Sequence, residues 1–217
     1  MNIIWYGQSC FQITSGQGKG NNVNIITDPY DETIGLKLPK LEAEILCISH
    51  NHRDHNNVKA VFGKPFLIAG PGEYEIKGVF VQGIPSSHDE VLGKERGENT
   101  IYTIEAEGIR LCHLGDFGQK ELSEDQLEKI GEVDILIIPV GGVYTISAKE
   151  AVRVMSQIEP PIIIPMHYQL PKLKEKLDDV DKFLKAMGIK RVEPLSKFSI
   201  KKKDILQEEA KIIVLTP

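Results

Sequence analysis

The sequence predicts an α/β fold, one domain over residues 1–217 with two mixed, mainly antiparallel sheets flanked by helices. Three observations predict it. Short β-rich runs crowd the first half of the chain. The apolar runs AEILCISH, VDILIIPV and PIIIPMHY have the length and composition of strands covered on both faces. Capped helical segments appear only from Ser123 onward, so they must pack outside a scaffold built largely of sheet.

The elements follow in order. NIIWYG, FQIT and NVNIITD open the chain as strands. The Gly-rich SGQGKGNN between the last two lacks the G-K-[ST] ending of a phosphate loop and leads into no helix, so it reads as a hairpin loop. AEILCISH is a buried strand, followed by PFLIAG and EYEIKGVFVQGIP. TIYTIEAE and IRLCHLGD form an antiparallel hairpin turning at Gly108. SEDQLEKIG is a helix capped by Ser123, and SAKEAVRVMSQI opens on a capping box, because Ser147 and Glu150 stand three apart. LKEKLDDVDKFLKAMG predicts a helix ending on Gly188, after which RVEPL, FSIKK and KIIVL return to strand. No linker, composition shift or fixed-period repeat marks a domain boundary.

Composition removes several functions. A formal net charge of −5 and a pI near 5.7 oppose a surface built to neutralise phosphate backbones. The run Lys201-Lys202-Lys203 has no interleaved aromatic residue and reads as a solvated strand or turn. The N-terminal MNIIWYGQSCF lacks the parts of a signal peptide, and no apolar run approaches the ~20 residues of a membrane helix. Cys10, Cys47 and Cys112 are odd in number and far apart, as expected of small buried hydrophobes in a reducing cytoplasm. The expected partners are a small-molecule substrate and, at most, further copies of the chain, with no nucleic acid and no membrane.

Chemistry concentrates in ILCISHNHRDHNN. An apolar run ends in His50, His52, Asp54 and His55, a density of imidazole and carboxylate that points to metal. His50 and His52 can reach one ion from a tight turn while Asp54 and His55 project toward a second. His88, which follows VFVQGIPSS, completes the first set, and His167, which ends PIIIPM, completes the second. Asp116, closing IRLCHLGD, can bridge both with its two oxygens, given metal–ligand bonds of about 2.0–2.2 Å and metal pairs about 3.5–4 Å apart. Imidazole with carboxylate and no thiolate suits two divalent ions, Zn²⁺ first, with Mn²⁺ or Fe²⁺ as alternatives. His113 differs: if RLCHLGD stays extended, alternation puts it opposite Asp116, in a packed or supporting role.

H-x-H-x-D-H together with SSH, HLGD and PMHY resembles the metallo-β-lactamase fold hydrolases over nearly the whole chain. WYGQSCF, TDPY, GPGEYEIKG, PVGGVYTISAKEA and IIPMHY resemble a small prokaryotic branch related to L-ascorbate-6-phosphate lactonase. The resemblance implies a four-layer αββα sandwich with a dinuclear site at one edge of the sheets. It implies the same ligand sets and bridge, and makes Asp28 in TDP a group that holds a ligand imidazole. Relatives often carry G-H-S where this chain has Gln8, which removes an acid or base from that position. The implied activity is metal-dependent hydrolysis of a small ester, lactone or phosphoester, with Asp54 and Asp116 catalytic and Tyr144, Thr145 and Tyr168 near substrate. Relatives that process RNA carry an extra domain or insertion for which this chain has no room. An iron-dependent oxidative enzyme and a non-catalytic metal-binding module are the alternatives.

Overall fold

The protein is described here by a computed structural model covering residues 1–16, 22–205 and 210–217. Strands β1 (Asn2–Gly7), β2 (Cys10–Gly16) and β3 (Asn22–Thr27) form an antiparallel meander. Residues alternate along β1, so Ile3 and Trp5 enter the core while Asn2 and Ile4 stay half-exposed. The glycine-rich hairpin-loop reading falls on residues 17–21, which lie outside the described residues. Four short strands follow: β4 (Leu41–Glu42), β5 (Ile45–Cys47), β6 (Val61–Phe62) and β7 (Phe66–Ile68). All of β5 is buried, as its unbroken apolar run requires of a strand paired in parallel on both sides, here by β3 and β7.

Two hairpins come next. β8 (Gly72–Ile76) turns into β9 (Val79–Ser87) through Lys77 and Gly78, and β10 (Glu98–Ala106) turns into β11 (Ile109–His113) through Glu107 and Gly108. Both turn pairs have positive φ, the conformation that matches the twist of antiparallel strands. The chain then alternates: α1 (Glu124–Ile130), β12 (Ile135–Pro139), α2 (Ala148–Ile158), β13 (Ile162–Met166), α3 (Val180–Ala186), and last the two-residue strands β14 (Phe198–Ser199) and β15 (Lys211–Ile212). Capping boxes start α1 and α2, at Ser123 with Gln126 and at Ser147 with Glu150.

Six strands pair in the order β14-β1-β2-β3-β5-β7 and seven in the order β15-β13-β12-β11-β10-β9-β8, with β4 and β6 pairing separately. Each large sheet is antiparallel where hairpins build it and, except for β14 which pairs antiparallel with β1, parallel where the chain crosses over; α1 and α2 supply the crossovers between β11, β12 and β13. The parallel share therefore exceeds what the hairpin-rich sequence suggested. Trp5, Phe11 and Ile13 of the first sheet and Tyr102, Ile104 and Ile137 of the second belong to one buried cluster. α1 packs on β9, and α2 on β12 and α3. No helix among the described residues is long and apolar enough to cross a membrane.

The last predicted helix is shorter than its sequence suggested. Residues 173–179 are not helical, because their backbone donors are taken by tertiary partners: Lys174 N–H by Ile34 O, Leu177 N–H by Gln169 Oε1, and Asp178 N–H by Gly141 O. Of RVEPL, only Leu195 makes a β-bridge, to Leu215. The three-lysine run is an exposed turn, within which Lys202 donates to both oxygens of Asp134 at 2.7 Å.

Candidate metal centre

Strand ends from both sheets converge on one edge. Gln8 follows β1, Asp28 follows β3, His88 follows β9, His167 follows β13, and the loop holding His50, His52, Asp54 and His55 follows β5. Asp116 comes three residues after β11. Its placement does not arise from strand alternation as expected, because the strand ends at His113 and Gly115 turns the chain with φ +58°. A Cβ at Gly115 would lie 2.4 Å from Asn99 Oδ1, and one at Gly118 would lie 2.3 Å from the carbonyl carbon of His88. Gln8, Asp28 and His167 also hold left-handed backbone, with φ of 48°, 41° and 50°. Such conformations cost about 1–2 kcal/mol each in residues other than glycine, so the surrounding packing has to impose them.

The side chains gather in two groups, each with its ligating atoms within 4.8 Å of one another: His50, His52 and His88, and Asp54, His55, Asp116 and His167. Asp116 Oδ2 faces both. It lies 3.3 Å from His88 Nε2 and 4.0 Å from His50 Nε2 on one side, and 3.2 and 3.3 Å from the Nε2 atoms of His55 and His167 on the other. Asp54 Oδ2 is 3.4 Å from His55 Nε2 and 3.9 Å from His167 Nε2.

A second layer of polar groups holds these in place. Asp28 accepts from Ser49 N–H at 2.7 Å and from Ser49 Oγ at 2.8 Å, and its Oδ2 lies 3.2 Å from His55 Nδ1. Ser49 Oγ is 2.9 Å from His50 Nδ1, so one serine connects Asp28 to a ligand of the other group. Ser9 donates to Asp116 Oδ1 at 3.3 Å, and Asn99 Oδ1 accepts from Asp116 N–H at 3.0 Å. His113 belongs to neither group. Its Nε2 donates to Ser9 O at 3.1 Å and its Nδ1 accepts from Gly115 N–H, which fixes the turn leading to Asp116.

Charge in this buried space is sharply divided. Burial, reinforced by His55, pushes the His50 pKa down to about 2, and burial also lowers His52 and His113. Burial acts in the same direction on His55, but Asp116 and Asp54 outweigh it and hold its pKa well above the usual imidazole value. Burial disfavours charge on Asp116 too, yet His167 and His55 keep it ionised, its pKa well below the carboxylate range. Meanwhile His55 Nδ1 and Nε2, His88 Nδ1 and His167 Nδ1 are buried without an aligned hydrogen-bond partner. Unpartnered buried polar atoms are rare because they are costly. Of these, His55 Nε2 faces Asp116 within its ligand group, where a cation would satisfy it. The donor set as a whole suits cations: His50, His52 and His88 offer three imidazoles, Asp54, His55 and His167 offer imidazole with carboxylate, and Asp116 faces both.

A pocket of about 190 Å³ opens over Asp54, Asp116 and His167, with Gln8, Arg53, Arg96, Tyr144 and Glu175 around it. Gln8 Nε2 is 3.3 Å from His167 Nε2, so an amide occupies the place where relatives often have histidine. Tyr144 reaches the pocket, and Thr145 lines an adjoining one of about 320 Å³. Tyr168 does not. Its ring packs on Trp5 and its hydroxyl donates to Leu215 O at 3.1 Å, which corrects the expectation that it touches substrate. The sequence reading missed Ser9, Ser49, Asn99 and Arg96. A signal existed for Asn99 alone, a polar residue directly before the apolar-rich TIYTI; the structure places it in β10 and buries it.

Two facing sheets with His and Asp ligand groups gathered at their strand ends define a class, the metal-dependent hydrolases of the metallo-β-lactamase superfamily. The chain belongs to that superfamily: residues 2–167 match the family model described as Beta-lactamase superfamily domain. A UPF0173 protein of Pyrococcus abyssi is 31% identical over 191 residues, covering 77% of this chain and 83% of its own. A UPF0173 metal-dependent hydrolase of Thermoplasma volcanium is 29% identical over 197 residues, with the same coverage of 77% and 83%. Among solved structures, a Thermotoga maritima protein described as a candidate Zn-dependent hydrolase of the metallo-beta-lactamase superfamily is 35% identical, with a TM-score of 0.79 over 99% of this chain and 97% of its own.

Proposed function

We propose that the protein is a dinuclear hydrolase acting in the cytoplasm on a small ester, lactone or phosphoester, with two divalent ions, Zn²⁺ first. The observation that carries this reading is the position of Asp116 Oδ2, within 3.2–4.0 Å of imidazoles from both ligand groups. His50, His52 and His88 would hold one ion, Asp54, His55 and His167 the other, and Asp116 both. Bound there, the ions supply a water acidified toward neutral pH and screen negative charge that develops on the attacked centre.

The chain's own residues do the rest. Asp54 faces the pocket with its side chain 22% exposed, the most open carboxylate of the ligand groups, and accepts the proton released there. Asp116, at 2%, is shut from solvent and stays ionised, so its part is to hold position and charge. Asp28 and Ser49 orient His55 and His50. Gln8 lines the pocket as a neutral amide, which orients substrate without exchanging protons.

A screen of lactones, carboxylic esters and phosphoesters with metal-depleted protein reloaded with Zn²⁺, Mn²⁺ or Fe²⁺ tests this. Hydrolysis of one class should appear only after reloading. In Asp54→Asn, turnover on that substrate should fall by about 10²–10⁴-fold, the usual worth of a positioned acid or base, with a smaller change in metal content. Metal-independent turnover, or full turnover in Asp54→Asn, contradicts the assignment.

A further inference from the structure

Among the described residues, Arg96 is an arginine without an ion pair at the mouth of the metal centre. Two arginines line the central pocket. Arg53 is spoken for: it is 68% exposed and donates to Glu175 at 2.9 Å. The Arg96 guanidinium has no ion pair and no side-chain hydrogen bond among the described residues; its one side-chain partner is the Tyr144 ring, whose centroid lies 4.8 Å from Cζ. It borders the pocket over the ligands and also the two depressions beside it, of about 320 and 410 Å³. Three cavities meet at this side chain.

Its backbone is fixed. Asp89, next to the candidate ligand His88 and 8% exposed, accepts four main-chain N–H groups. Val91 and Gly93 donate to Oδ1 at 2.9 and 2.8 Å, and Glu95 and Arg96 donate to Oδ2 at 2.9 and 2.8 Å. One carboxylate thus folds the 89–97 loop and ties Arg96 to the strand end that presents His88. The Tyr144 ring lies against the guanidinium in a cation–π contact, and among the described residues no side chain accepts from its N–H groups. A planar fork of donors that is held in place, lacks a carboxylate and points into a polar pocket is matched to a two-oxygen anion.

We infer that Arg96 is a specificity-determining residue that binds an anionic group, carboxylate or phosphate, carried by the substrate away from the bond that reacts. This rests on the metal centre being the reacting site. Arg96 sets the position of the substrate, and Asp89 sets the position of Arg96.

Zn²⁺-loaded protein is assayed with two esters of one leaving group, the anionic p-nitrophenyl hemisuccinate and the neutral p-nitrophenyl butyrate. Arg96→Ala should lower kcat/KM for the anionic ester by about 10–100-fold, the loss of a charge-assisted pair, and change the neutral ester by less than about threefold. Arg96→Lys should fall between, since it keeps the charge and loses the fork. Arg96→Gln retains bulk against Tyr144 and serves if Arg96→Ala does not fold. Equal losses on both esters with unchanged metal content, or no loss on either, overturn the inference.

The hydrolase reading itself stands or falls with the screen of lactones, esters and phosphoesters; should the wild-type protein cleave neither of these two esters, calorimetric titration with inorganic phosphate and with glutarate decides the role of Arg96 by itself. Affinity for one of them should drop about 10–100-fold in Arg96→Ala, and the one that drops tells phosphate from carboxylate. Equal affinity in wild type and variant for both anions overturns it.

Discussion

Ser49 and His113 show how a buried polar residue can serve the metal centre directly or only through the fold. Ser49 Oγ touches both Asp28 and His50, so Ser49→Ala leaves one carboxylate and one ligand imidazole without their shared partner. Metal affinity should fall about 10–100-fold in a competition titration against a chelating dye, with little change in folding. His113 hydrogen-bonds main chain and the Thr27 hydroxyl on the way to Asp116, and its ring stands edge-on to Phe11, 5.9 Å between centroids. His113→Leu should therefore leave both ions bound, with a smaller loss of metal affinity than Ser49→Ala, and lose about 1–3 kcal/mol of stability in urea, because Gly115 N–H is stranded. Loss of metal in His113→Leu with retention in His88→Ala would require the ligand groups to be redrawn. At this scale the sequence was legible where several ligand types share a short run, as in His50, His52, Asp54 and His55. Ser49 and Ser9 were not legible, since a serine acquires a role only from what the fold brings to its hydroxyl.

Strand ends aim the ligands, and the turns after them do as much as the strands. Gly118 sits against the backbone of His88, and a Cβ there would approach the His88 carbonyl carbon and oxygen at 2.3 and 2.4 Å. Backbone cannot yield as a flexible side chain does. Gly118→Ala should displace the end of β9, so that metal affinity and melting temperature fall together; a variant with both unchanged would show that the loop absorbs the methyl group freely. Some elements were legible by local rules: Ser123 caps α1, Ser147 with Glu150 opens α2, and Gly108 marks the β10–β11 turn, whereas the turn at Lys77 and Gly78 lay hidden inside the run EYEIKGVFVQGIP. The turn at Gly115, which decides where Asp116 points, and the unwound stretch 173–179 were not. Both are set by long-range hydrogen bonds, Asp116 N–H donating to Asn99 Oδ1 in one case and backbone N–H groups donating to Ile34 O, Gln169 Oε1 and Gly141 O in the other.

Across the whole molecule, two mixed sheets place five histidines and two aspartates at one edge, most of them closed to solvent. The resemblance carried by H-x-H-x-D-H fixed the superfamily in advance, whereas the order of the strands had to be seen, because parallel crossovers leave no local mark in the sequence. Such a site should be part of the protein's stability as well as its chemistry: an ion bound only by the folded chain adds about 4 kcal/mol at 1,000 times its Kd. Stripping metal should accordingly lower the melting temperature, and reloading should restore it. On the proposed reading, the two ligand groups, joined at Asp116, each hold an ion. Elemental analysis of the protein after stripping, reloading with excess Zn²⁺ and removal of free metal tests it most directly. A plateau of about two ions per chain is expected, falling to one or fewer in Asp116→Ala; a wild-type plateau at one or below would show that the groups do not each bind an ion.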